Sequence, residues 1–132
     1  MAKTRHMFQQ FMYSLLKRPV KIAFQVTIGA STANTFVGRG VESCDRTATG
    51  EYEIVLDSLY RKLYGVKITH LAATEAGFNF QLKSESVSSD GKIKFFALLP
   101  VYSDPNVVPT PTNLAEGDKL FIELLLNETD VV

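Results

Sequence analysis

Val20-Lys21-Ile22-Ala23-Phe24-Gln25-Val26-Thr27-Ile28 alternates without a break. Val20, Ile22, Phe24, Val26 and Ile28 occupy one side of a two-residue repeat, and Lys21, Ala23, Gln25 and Thr27 occupy the other. Successive side chains of an extended chain point to opposite faces, so this segment reads as a strand with one face buried and one in water.

Toward the N-terminus the period changes. Met7, Phe11 and Leu15 form one row at a spacing of four, and Phe8, Met12 and Leu16 form the adjacent row. The two rows make one apolar stripe on a helix. Thr4 is a candidate N-cap, and Lys17 and Arg18 suit the negative end of the helix dipole. Pro19 ends the helix. The chain thus divides into a helical arm, residues 1–18, and a β-domain, residues 19–132. A helix of about three turns is not stable alone in water, so it must dock. Its partner is either its own sheet or a neighbouring subunit. Phe8, Phe11, Met12, Leu15 and Leu16 are the anchors it offers.

Toward the C-terminus the two-residue period recurs. A short strand is expected around Gly40–Thr47. Thr49-Gly50 marks a turn, after which Tyr52, Ile54 and Leu56 alternate with Glu51, Glu53 and Val55. That order reads as a hairpin. Asp57 can cap a helical turn over 58–64, closed by Gly65, with Leu59 and Leu63 plugging one end of the core. Strands are then expected at Val66–Thr74, Phe78–Lys83, Lys92–Leu99 and Lys119–Asn127. Asp90-Gly91 is suited to a turn with positive backbone φ. The sum is a mainly β chain, an antiparallel sandwich or open barrel of about seven strands.

Between the last two strands, Ser103–Gly117 holds Pro105, Pro109 and Pro111 and shows no period. Loops this long in a compact domain are often functional. Val107 and Val108 either fold back onto the core or form part of a contact surface.

The composition excludes several functions. The chain has 132 residues, with 14 basic and 14 acidic side chains and a net charge of zero. Nucleic-acid binders carry a basic excess, so no nucleic-acid partner is expected. Locally, Lys3, Arg5, Lys17, Arg18 and Lys21 precede the first acidic residue, Glu42. They form either a solvated basic face or a contact for an acidic protein surface. Cys44 is the only cysteine, so no intrachain disulfide can form. No signal peptide is visible, and no run approaches the roughly 18 apolar residues of a membrane span. Synthesis in a cytoplasm and no membrane partner are expected. The Asn127–Thr129 triplet matches a glycosylation acceptor by chance.

Groups able to exchange protons or attack are few. His6 lies in the arm, and His70 sits mid-strand at an inward position, where a hydrogen-bonded structural role is expected. No histidine or cysteine spacing suits zinc. Asp45 and Glu42 should raise the Cys44 thiol pKa, leaving it an inert, partly buried thiol. Gly38-Arg39-Gly40 lacks the rest of a phosphate loop. Glu51 and Glu53 share a strand face, but alternation puts both toward solvent, where neither can serve as a protonated general acid. No tryptophan is present for a sugar platform, and Tyr13, Tyr52, Tyr60, Tyr64 and Tyr102 do not cluster. No enzyme, cofactor or metal is expected.

The stretch Asp45-Arg46-Thr47-Ala48-Thr49-Gly50-Glu51-Tyr52-Glu53-Ile54-Val55-Leu56-Asp57 continues to Leu59-Tyr60 and Leu63-Tyr64-Gly65-Val66. It resembles a segment of small virion structural proteins of tailed bacteriophages. Ile122-Glu123-Leu124-Leu125-Leu126-Asn127 is similar to their closing strand, and the Lys17–Lys21 step is similar to the end of their N-terminal arm. The resemblance implies a capsid cement or decoration protein on the outside of a phage head, binding the major capsid protein or another virion protein. It also implies a homo-oligomer, dimer or trimer, and no catalytic residues. A tail, fibre or receptor-binding module and a carbohydrate-binding module are the alternatives.

Overall fold

The computed structural model of the chain describes residues 19–73, 77–100 and 106–127. Nine strands occur among them: β1 (Pro19–Thr27), β2 (Thr35–Gly38), β3 (Val41–Ala48), β4 (Glu51–Leu56), β5 (Lys62–Leu71), β6 (Asn79–Glu85), β7 (Lys92–Leu99), β8 (Thr110–Pro111) and β9 (Lys119–Asn127). They build two antiparallel sheets. The first has the order β2-β1-β9-β5; the second has β3-β4-β7-β6, with β8 also on β7.

The alternating segment Val20–Ile28 begins inside the first sheet, as β1. β1 pairs along its whole length with β9, from Pro19 opposite Asn127 to Thr27 opposite Lys119. Ile22, Phe24 and Val26 point inward beside Leu120, Ile122, Leu124 and Leu126. They meet Cys44, Tyr52, Ile54, Ile93, Phe95 and Ala97 from the second sheet in one shared core. The result is a sandwich-like pair of layers, with strand alternation deciding which side chains are dry.

Two ties hold the layers in place at one end. Asn34 Nδ2 donates to the Cys44 carbonyl at 3.0 Å, and its Oδ1 accepts from the Gly29 amide at 2.9 Å. The Asn34 amide donates to Asp45 Oδ1 at 3.0 Å. One residue of the β1–β2 connection therefore fixes β3 against the first sheet. The Arg46 amide donates to the Thr32 carbonyl at 2.9 Å and reinforces it.

The structure corrects three expectations. The strands number nine rather than seven, because β2 and β8 are short. The helical turn at 58–64 does not form. Lys62–Leu71 extends instead, because β9 offers it a ladder from Asn127 to Lys119, broken only by a shift at Leu63/Gly65. Before it, the Tyr60 amide bonds the Val87 carbonyl and Leu59 is exposed. The loop at 103–117 is not structureless over its described part. Thr110–Pro111 joins β7, and Leu114 is buried in the core. The arm, residues 1–18, lies outside the described residues. No helix long and apolar enough to cross a membrane occurs among those described.

Candidate interaction surfaces

His70 Nε2 lies 2.9 Å from Asp118 Oδ2, and both side chains are largely buried. The ring stands edge-on to Phe78 and Phe80, with centroids 5.5 and 6.1 Å away. Asp118 lies just before β9, and its carbonyl accepts from the Ile28 amide at 2.8 Å. His70 thus clasps β5 to the start of β9 and packs against β6, as expected of a structural histidine.

Glu51 departs from the sequence expectation. It is buried, although alternation on β4 points it outward. The cause is Lys83, which sits at the register shift between Leu82 and Ser84 on β6. Its ammonium reaches back to both Glu51 oxygens at 3.1 and 3.0 Å and lies 5.6 Å above the Phe96 ring. Lys94 Nζ is 3.9 Å from Glu51 and 3.6 Å from Glu53. Each carboxylate faces an ammonium, the reverse of the apolar surroundings a protonated general acid needs. No group of three or more potential metal ligands comes together among the described residues.

Cys44 is fully rather than partly buried, on β3 opposite Ile54. Burial first, and the Asp45 charge second, push its thiol up to about 12. In the unfolded chain the thiol ionises near pH 9.0. The native state therefore keeps the proton while the unfolded state loses it. Stability is fully present below the unfolded value and declines as pH rises toward the folded one, by about 1.4 kcal/mol per pH unit. In urea titrations above about pH 9, Cys44→Ala should lose stability less steeply than the native chain. Parallel slopes would show that Cys44 does not carry the effect.

The remaining surface divides sharply. On the outer face of the second sheet, Lys83, Glu51, Lys94 and Glu53 form one charged network. The outer face of the first sheet is different. Phe121 is exposed at its centre between Gln25 and Thr69, with Val37 on the β2 side and Leu71 on the β5 side. Lys21, Lys67 and Glu123 share that face, with Lys21 Nζ 3.7 Å from Glu123 in an exposed pair. Gly65, opposite Leu125, leaves a groove of about 340 Å³ whose wall includes Lys21 and Lys67. The sequence reading missed this face, though a signal existed. Phe121 and Leu125 are apolar residues at outward phase in β9, where simple alternation asks for polar ones.

Of the sequence-derived contact residues, Val107 and Val108 are both solvent-exposed, at 43% and 77%. They do not return to the core. They protrude just before the anchored part of their loop, where Thr110 pairs with Leu99. The arm residues Phe8, Phe11, Met12, Leu15 and Leu16 lie outside the described residues. No protein-family model, curated protein or solved structure matches the chain.

Proposed function

We propose that the chain is a non-enzymatic virion structural protein, a capsid cement or decoration protein that binds the outside of a phage head. The observation that carries this reading is the resemblance running from Asp45 to Val66. Those residues form the second half of β3, all of β4, the connection after it and the first half of β5. They bury Tyr52 and Ile54. A cement protein needs a rigid scaffold and adhesive extensions, and the scaffold described above is of that kind.

Two extensions are proposed as adhesive: the apolar stripe of residues 1–18 and the tip at Val107-Val108. Large apolar side chains near the centre of an interface carry most of its energy. The partner is the major capsid protein or another virion protein, and the chain acts as a homo-oligomer on the virion surface after synthesis in the host cytoplasm. The test is cosedimentation with phage heads. The full chain should bind. Removal of residues 1–18 should weaken binding by about a hundredfold or more, and Val107→Ser with Val108→Ser by about tenfold. Binding unchanged by either change sinks the proposed contacts. Binding to isolated tails and not to heads would favour the tail-module alternative.

A further inference from the structure

Each sheet must end somewhere, and an edge strand with unpaired backbone groups is a template for another chain. Three of the four edges here are blunted. β2 spans only Thr35–Gly38. β3 is interrupted by register shifts at Val41/Ser43 and Arg46/Ala48. β6 is interrupted at Leu82/Ser84. β5 is different. Its one shift falls at Leu63/Gly65, after which Gly65–Leu71 runs in regular register beside β9. Among the described residues no strand covers its other side.

The side chains along that edge are unfinished too. On the inner side, Val66 and Ile68 line a cleft of about 240 Å³ with Phe78 and, on β6, Phe80 and Leu82. On the outer side, Leu71 is 54% exposed. Six residues before it, Gly65 leaves a gap in which an added Cβ meets nothing within 4 Å. An exposed leucine and an empty position on the same face of one strand are complementary halves of a contact.

We propose that β5 pairs antiparallel with β5 of a second copy of this chain, about a two-fold axis through Ile68. Residue-opposite-residue registers of an antiparallel pair keep inner residues against inner and outer against outer. With Ile68 opposite Ile68, Lys67 faces Thr69, Val66 faces His70, and Gly65 faces Leu71. Leu71 of each copy then covers the bare Gly65 backbone of the other, beside Leu125. Centring on Lys67 instead would set two ammonium groups directly opposite, and centring on Thr69 would set Lys67 against Leu71. The chosen register avoids both. It joins the two first sheets into one continuous eight-stranded layer and removes the open edge. The interface is isologous and closed, as in most soluble dimers. It deepens the homo-oligomer part of the proposed function and stands without the capsid part.

Thr69 is exposed on the outer face, so substitutions there leave the core of a single copy untouched. In sedimentation equilibrium of the full chain, a dimer is expected. Thr69→Lys sets like charges opposite Lys67 twice and should weaken the dimer by about tenfold or more. Thr69→Glu sets opposite charges there and should tighten it, with the gain lost in salt. Ile68→Cys should crosslink as a dimer under mild oxidation, whereas exposed Leu59→Cys should not; buried Cys44 stays out of the reaction. A monomer at every concentration overturns the proposal. So does an oligomer that Thr69→Lys and Thr69→Glu leave unmoved or shift in the same direction. A monomer that still binds phage heads would sink the edge pairing and leave the capsid reading standing; a dimer that ignores heads would do the reverse.

Discussion

Tyr52→Ala should remove a large fraction of the stability of the fold, about 3–5 kcal/mol in urea denaturation. Small domains have only about 5–15 kcal/mol in total. Tyr52 is fully buried at the centre of β4 and stacks on Phe95, with ring centroids 5.6 Å apart. Phe95 in turn meets the Phe80 ring at 6.1 Å. Truncation would empty the space between the hairpin and β7 and strip Phe95 of its partner. The hydroxyl has a separate task. It accepts a hydrogen bond from the buried Leu114 amide at 2.9 Å and so pins the long loop to the core. Burial pushes the phenol pKa up, consistent with a neutral hydroxyl at that bond. Tyr52→Phe keeps the ring and strands the Leu114 amide, at a cost of about 1–3 kcal/mol. Its effect should be local, seen as faster amide exchange around Leu114 with the β1–β9 ladder still protected. Equal losses for the two substitutions would mean that the hydroxyl, not the ring, holds the core.

Gly50→Ala should cost about 2–4 kcal/mol, though it adds one methyl group. Gly50 turns the chain between β3 and β4 at φ +66°, a conformation that disfavours any side chain. Space is the larger problem. A Cβ there would stand 2.3 Å from the Thr112 amide nitrogen and 2.5 Å from the Pro111 carbonyl carbon. Both contacts are backbone, so no rotamer change relieves them. Gly50 is also where β8 takes over from β4 as the neighbour of β7. Its carbonyl accepts from the Ala97 amide, and the Ala97 carbonyl accepts from the Thr112 amide. The Gly50 amide donates to Asn113 Oδ1 at 2.8 Å. Asn113→Ala, which loses that bond without a clash, should cost only about 1 kcal/mol. If the two variants are equally mild, the β8 strand is not held against the turn as described.

These two sites show what the sequence could and could not convey. Tyr52 was readable: it falls on the apolar side of a two-residue repeat, and that repeat is enough to place it inside. The same rule located β1, β7 and β9. It failed where a strand is too short to repeat. β2 offers one inward apolar residue, Phe36, and β8 is two residues long with a proline in it. It failed at Leu59 and Leu63, whose spacing of four suits a helix until the ladder with β9 is known. It failed at Glu51, whose burial depends on a lysine 32 residues away that leaves its own ladder to reach it. The role of Leu114 depends on a hydroxyl 62 residues away in the same manner. At Leu63, Glu51 and Leu114 the deciding partner is distant in sequence, and periodicity carries no information about it.

The candidate surfaces follow the same division. Val107 and Val108 were conspicuous because apolar residues in a polar loop have no local reason to be there. The exposed face around Phe121 and the open edge of β5 needed the strand order. An edge is a property of topology, and Gly65 and Leu71 become complementary only when their shared face and free side are known.

The central claim, that the chain is a capsid cement or decoration protein, is tested most directly by a reconstruction of phage heads incubated with the purified full chain. The expected result is density for the two-sheet domain at regular sites over the outer surface of the head. Heads that stay bare, or density confined to the tail, would contradict it.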